Sequence, residues 1–289
     1  AHGSMNIHHF NCGTMRPFTE RLIHGRGSYF AAGRMVCHCL LIESRDGLVL
    51  VDTGVGLDDC AQPAARLGKT FVAVVRPTLD PEETAARQIE RLGHRRNDVR
   101  HIVVTHLDLD HAGGLADFPN ATVHVYRDEH DAAHNPRTVG EKHRYRACQW
   151  AHGPNWRIHA ADGERFEGFE AVRAVVEPEI LLLPTMGHSR GHAVVAIKNG
   201  DGWLLHCGDA YFSQHEMNLE RASCPPGLAA FQRLVAVDDR ARRKNQRRLR
   251  ELKRAHSNFE LFSAHDGDEL AMMSHEAELA SATTVPVAL

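Results

Sequence analysis

No apolar run in this sequence approaches the roughly 20 residues that a membrane-spanning helix requires. No charged-apolar-small segment opens it either, so neither a membrane protein nor a secreted one is expected. Ala1-His2-Gly3-Ser4 reads as a cloning scar, with Met5 as the natural start. The seven cysteines are odd in number and scattered, without a zinc-ribbon or redox Cys-x-x-Cys pair. A disulfide framework is therefore excluded, and a reduced, cytoplasmic protein is expected. Charge of one sign is missing as well: 34 basic against 37 acidic residues leave a net −3, which gives no chain-wide pull on nucleic acid or anionic membranes. No Gly-x-Ser-x-Gly elbow occurs, so a serine nucleophile has no support. Histidine is the residue in excess, at 22 of 289, and several stand beside glycine where apolar runs end.

The densest of these places is Val103-Val104-Thr105-His106-Leu107-Asp108-Leu109-Asp110-His111-Ala112-Gly113-Gly114. Ile102 to Val104 reads as a buried strand that delivers His106, Asp108, Asp110 and His111 at its end. In an extended chain His106, Asp108 and Asp110 share a face, with Leu107 and Leu109 on the apolar side. Two carboxylates facing one way repel each other unless a cation lies between them. Imidazole with carboxylate suits zinc, iron or manganese better than thiolate-loving metals. Cys37 and Cys39 alternate within a strand and read as buried core rather than ligands.

Elsewhere strands and helices alternate along the chain. Met35–Ile42 and Leu48–Val51 form a hairpin around Ser44-Arg45-Asp46-Gly47, ending in Asp52-Thr53-Gly54. Asp80-Pro81-Glu82-Glu83 reads as a helix start with a capping box, and Gly93 as its stop. Ala121–Val125 is a strand and Arg127–Ala133 a short helix. Residues 134–168 lack clear periodicity but hold Trp150, Trp156, Tyr145, His143 and His152. The aromatics favour a lid or pocket wall over a plain surface insertion. A strand at Ile180–Leu183 leads to His188 and His192. A hairpin of Ala193–Ile197 with Trp203–His206 leads to Asp209 and Tyr211, and Phe259–Phe262 leads to His265. The basic stretch Arg240–Arg254 has Leu249 and Leu252 on one edge and reads as a solvated helix face, not a nucleic-acid contact.

One pattern recurs at Asp52, at His106–His111, at His188, at Asp209 and at His265: a strand ends, and a His or Asp sits near glycine at its tip. This ordered set closely resembles the metallo-β-lactamase superfamily across nearly the whole chain. The resemblance implies an α/β class (α+β by some schemes), a four-layer αββα sandwich formed as a single domain over 5–289 with a lid-like insertion at about 134–168. It implies two divalent ions, zinc foremost, between the edges of the sheets. Carried over by position, His106, Asp108 and His188 hold the first, Asp110, His111 and His265 the second, and Asp209 bridges. Asp52 would orient ligands, and His192 is balanced between support and plain burial. The family's usual His-x-His-x-Asp-His has a histidine where this chain has Asp108. An added carboxylate makes the first site harder and moves preference toward iron or manganese, or leaves one tight and one weak metal. Flavin-linked di-iron members carry Glu there.

The chemistry implied is hydrolysis by a metal-bound hydroxide, with lactones or small esters as the best-fitting substrates. Asp110 would orient the hydroxide. Tyr211 either holds the carbonyl or leaving oxygen, as a lactonase tyrosine does, or simply packs. Thioesterase or β-lactamase action is the nearer alternative. A non-haem iron redox enzyme is the further one, against which stands the lack of a flavin motif or a flavodoxin-like domain. The expected partner is a small-molecule substrate, without nucleic acid or membrane, on a monomer or homodimer.

Overall fold

The computed structural model describes residues 5–283, so the segment read as a cloning scar lies outside the described residues. Six strands form the first sheet in chain order: β1 (Asn6–Asn11), β2 (His38–Ser44), β3 (Gly47–Val51), β4 (Val99–Val103), β5 (Thr122–Tyr126) and β6 (Asn155–His159). β1 to β3 are antiparallel and β3 to β6 parallel. A ribbon of β7 (Arg165–Phe166) and β8 (Phe169–Glu170) precedes β9 (Val172–Val175), β10 (Ile180–Pro184), β11 (Ala193–Asn199), β12 (Gly202–His206) and β13 (Phe259–Phe262). These last five make the second sheet in the order β13-β12-β11-β10-β9, with β12 and β13 parallel.

The alternation of side chains along each strand builds the layers. Leu40 and Ile42 of β2, Val49 and Val51 of β3 and Val103 of β4 meet Leu182, Val195, Ile197, Leu204 and Phe262 between the sheets. Their neighbours Cys39, Leu41, Leu48, Leu50 and Ile102 turn to the other face, against Ala85, Ala86 and Ile89 of the helix Ala85–Arg91. On the far side Leu181, Leu183, Val194, Ala196 and Leu205 meet Leu249 and Leu252 of the helix Asp239–Ala255. Strands buried on both faces read as continuous apolar runs, which is why the sequence shows them plainly. The result is the expected αββα sandwich. Among the described residues no helix is long and apolar enough to cross a membrane.

Three local expectations change. Asp80 caps only a 3₁₀ turn, Pro81–Glu83; the chain then extends at Thr84, which caps the α-helix in its place. Glu83 is drawn away because its carboxylate accepts from the Thr14 backbone N–H and hydroxyl, both at 2.7 Å. The stretch 134–168 is more regular than its sequence suggests, with a helix Val139–Arg144, a 3₁₀ turn Ala147–Trp150 and strand β6. Trp150 is buried in the outer core of the first sheet, and half-buried Trp156 packs against that core, so both rings are engaged in packing there. The basic helix is not simply solvated. Buried Arg242 bonds Gln232 and Asp239, while Arg248, Arg250 and Arg254 donate to the carbonyls of Gly168, Glu216 and Leu219.

Candidate metal centre

The loop after β4 stays extended only as far as Asp108, where a helical turn, Leu109–Ala112, begins. Successive residues of a helix are splayed around its axis rather than placed on alternate faces. Asp110 and His111 therefore leave in different directions from His106 and Asp108, and the one-face reading gives way to two clusters. In the first, Asp108 Oδ2 lies 3.0 Å from His188 Nε2 and 3.4 Å from His106 Nε2. In the second, His265 Nε2 lies 3.5 Å from Asp110 Oδ2. Asp209 faces both: Oδ2 is 3.2 Å from His188 Nε2, and Oδ1 is 3.2 Å from His111 Nε2 and 3.0 Å from His265 Nε2. Cys37, read as core, is buried there, and its Sγ also lies within 4.8 Å of ligand atoms of Asp110 and His265.

Three of the four cluster imidazoles, His111, His106 and His265, are held from behind. Asp52 sits at the tip of β3 with φ 55°, an unusual backbone for a residue other than glycine. From there Oδ2 reaches His111 Nδ1 at 2.8 Å, and the carboxylate also accepts from Thr105 N and Oγ1. Thr105 Oγ1 lies 2.9 Å from His106 Nδ1, and His265 Nδ1 donates to Val36 O at 2.8 Å. Such partners fix which ring nitrogen points forward. His192 is fully buried between Thr185 Oγ1 and the Asp209 backbone N–H, which donates to its Nε2 at 3.0 Å. It supports the loop of Asp209 rather than joining the clusters.

Buried charge is concentrated here. Burial opposes ionisation of Asp209, yet His265, His111 and His188 hold its carboxyl well below the usual range. Burial likewise opposes ionisation of Asp52, and His111, His206 and His106 bring it down to about 2. His106 Nε2, His111 Nε2 and Asp209 Oδ1 are buried without a hydrogen-bond partner. Native proteins rarely leave such atoms unmet. Imidazole nitrogens and carboxylate oxygens converging within 4.8 Å of one another are a donor set for a divalent cation, so the residues present fit the metals that the sequence implied.

Residues 32–265 match the metallo-β-lactamase superfamily. The chain belongs to that superfamily. It is 44% identical over 268 residues to a probable metallo-hydrolase of Mycobacterium tuberculosis, covering 91% of this chain and 81% of the relative. An N-acyl homoserine lactonase of Bacillus thuringiensis is 30% identical over 185 residues, 63% of this chain and 66% of that one. Among solved structures, an N-acyl homoserine lactone hydrolase with N-hexanoyl-L-homoserine at its catalytic metal centre superposes with a TM-score of 0.68 at 22% identity. It spans 93% of this chain and 95% of its own. The chain is a metal-dependent hydrolase that binds divalent metal.

Within this superfamily member, two placements depart from the sequence reading, and two residues outside that reading bear on the centre. Tyr211 does not join the clusters: it is fully buried in the outer core of the second sheet, and its hydroxyl donates to Glu269 Oε1 at 3.0 Å. Tyr211→Phe should therefore leave kcat and KM unchanged while costing about 1 kcal/mol of stability, read by denaturant unfolding. A fall in kcat would return the tyrosine to the reaction. A cavity of about 190 Å³ opens against His265 and Phe212, lined by Glu20, His24, Arg34 and Met35. Its wall comes from the N-terminal segment together with 212–215, Leu228 and 265–268, and takes no residue from 134–168. That stretch reaches the centre by another route: Arg144, which the sequence reading passed over, places Nε 3.3 Å from Asp108 Oδ1. Glu129, also passed over, is fully buried and braces the loops of His106 and His188 together.

Proposed function

We propose that the chain opens lactones or cleaves small esters at a binuclear centre. His106, Asp108 and His188 would hold one ion, Asp110, His111 and His265 the other, and Asp209 would bridge. Zinc is the first candidate for both. The observation that carries the binuclear reading is the division of Asp209, with one oxygen toward each cluster. When bound, a pair of divalent ions makes water acidic enough to react near neutral pH and polarises an ester carbonyl. Asp110 would orient the attacking water. The braced imidazoles keep the geometry fixed as charge develops on the carbonyl oxygen. Substrate would approach through the cavity beside His265 and Phe212. The likeness to lactonases supports ring esters over β-lactams.

A panel of lactones, aryl esters, thioesters and β-lactams, assayed after reconstitution with zinc, manganese or iron, tests the reading. Lactones or esters should turn over best, by at least about tenfold in kcat/KM, the size of a modest difference in transition-state binding. Preference for thioesters or β-lactams would move the assignment to those substrates. Oxygen consumption by iron-loaded protein, without hydrolysis by any form, would replace hydrolysis with redox chemistry.

A further inference from the structure

Arg144 is an unusual neighbour for a metal ligand, because a fixed positive charge repels the cation that the ligand attracts. Its side chain is only 11% exposed, and it is locked in place from two sides. One terminal nitrogen donates to His188 O and the other to Val235 O, each at 2.5 Å. The remaining Nε lies 3.3 Å from Asp108 Oδ1, while Asp108 Oδ2 faces the imidazoles of His106 and His188. The two carboxylate oxygens are thus divided, one toward the arginine and one toward the cluster. A planar guanidinium held by two carbonyls cannot swing away to water, so its charge is a permanent part of the site.

We propose that Arg144 is the charge-balancing and positioning partner of Asp108, so that the Asp108–Arg144 pair presents to the first metal the net charge of one neutral histidine. The superfamily's usual pattern has a histidine at this place. Substituting aspartate alone would add a negative charge to the metal's surroundings, and the buried arginine cancels it. The pair also fixes which oxygen faces the metal. Because Arg144 holds the His188 carbonyl as well, it ties two ligands of one cluster to a single rigid group. An uncompensated carboxylate would make the first site harder and favour iron or manganese; with Arg144 in place, zinc is retained. This inference rests on Asp108 being a ligand.

A double-mutant cycle on the full chain reads it through zinc affinity and zinc-against-manganese competition, measured by equilibrium dialysis and metal analysis rather than by turnover. Asp108→His alone leaves the arginine uncompensated beside the cation and should weaken first-site zinc by about 10–100-fold, the usual cost of losing a partner behind a ligand. Asp108→His with Arg144→Gln should recover most of that loss. Arg144→Gln alone should shift competition toward manganese, since the carboxylate is then unneutralised. Should Arg144→Gln fold poorly, Arg144→Lys keeps the charge without the fork and should hold wild-type metal preference at lower affinity. Additive losses in the cycle, or a Lys variant with the manganese shift of the Gln variant, would overturn the charge-balancing role. Asp108→Ala separates the two claims. Undiminished zinc stoichiometry there removes Asp108 as a ligand, whereas an emptied first site with an additive cycle removes only the arginine's part.

Discussion

In Asp209→Ala, both metal positions should empty and turnover should fall by more than about a hundredfold, beyond the upper cost of losing an outer partner. The reason is geometric. Asp209 is the residue whose carboxylate reaches both clusters, with Oδ1 near His111 and His265 and Oδ2 near His188. His265→Ala is the graded control, because it removes a ring from the second cluster and leaves His106, Asp108 and His188 in place. Metal analysis should then read close to no ion per chain for the first variant and about one for the second, if each cluster holds one ion. The fold should survive in both. The His192 contact to residue 209 uses its backbone N–H, which substitution does not remove, and both side chains belong to the site rather than to an apolar cluster. An Asp209→Ala protein that still carried one tightly held ion would show the clusters to be independent, and the bridging reading would fall.

What the sequence made legible follows from where its information is local. Leu40–Ile42, Val49–Val51 and Val194–Ile197 are buried on both faces, so their apolar runs announce strands without any knowledge of partners. β6 was missed because an edge strand reading Asn-Trp-Arg-Ile-His has one covered side and carries no run to detect. His106, Asp108, Asp110 and His111 were readable because they fall within six residues, although the helical turn that splits them into two clusters was not. Tyr211 shows the opposite error. Its place two residues after Asp209 suggested proximity to the reaction. The turn at Gly208, with φ 51°, sends Asp209 to the metal edge, while Tyr211 joins Cys207 in the outer core. Arg144 and Glu129 had no local signature at all. Each acts on loops far away in the chain, and no spacing rule connects position 144 with 108 or position 129 with 191.

Glu129 supplies the second large effect. Its carboxylate is fully buried and accepts four hydrogen bonds: from Leu107 N and Tyr145 OH at 2.9 Å on Oε1, and from Ser189 Oγ at 2.6 Å and Gly191 N at 3.1 Å on Oε2. Leu107 lies between His106 and Asp108, and Ser189 follows His188, so one side chain sets the spacing of both loops of the first cluster. The fit is close enough that a Cβ on Gly191 would fall 1.9 Å from the Glu129 backbone nitrogen, so only glycine passes there. Glu129→Ala leaves four buried donors without an acceptor, at about 1–3 kcal/mol for each that finds no substitute. That sum is comparable to the roughly 5–15 kcal/mol by which native domains are stable, so Glu129→Ala should yield little folded protein. Glu129→Gln is the informative variant. It preserves volume and one acceptor oxygen but turns an amide N–H₂ toward one pair of donors, forcing those groups apart. It should fold, lose about 2–3 kcal/mol in denaturant unfolding, and bind the first metal about 10–100-fold more weakly while the second is held normally. Equal weakening of both metals would make Glu129 a general stabiliser of the fold. Unchanged metal affinity with the same loss of stability would mean that the two loops find their spacing without it.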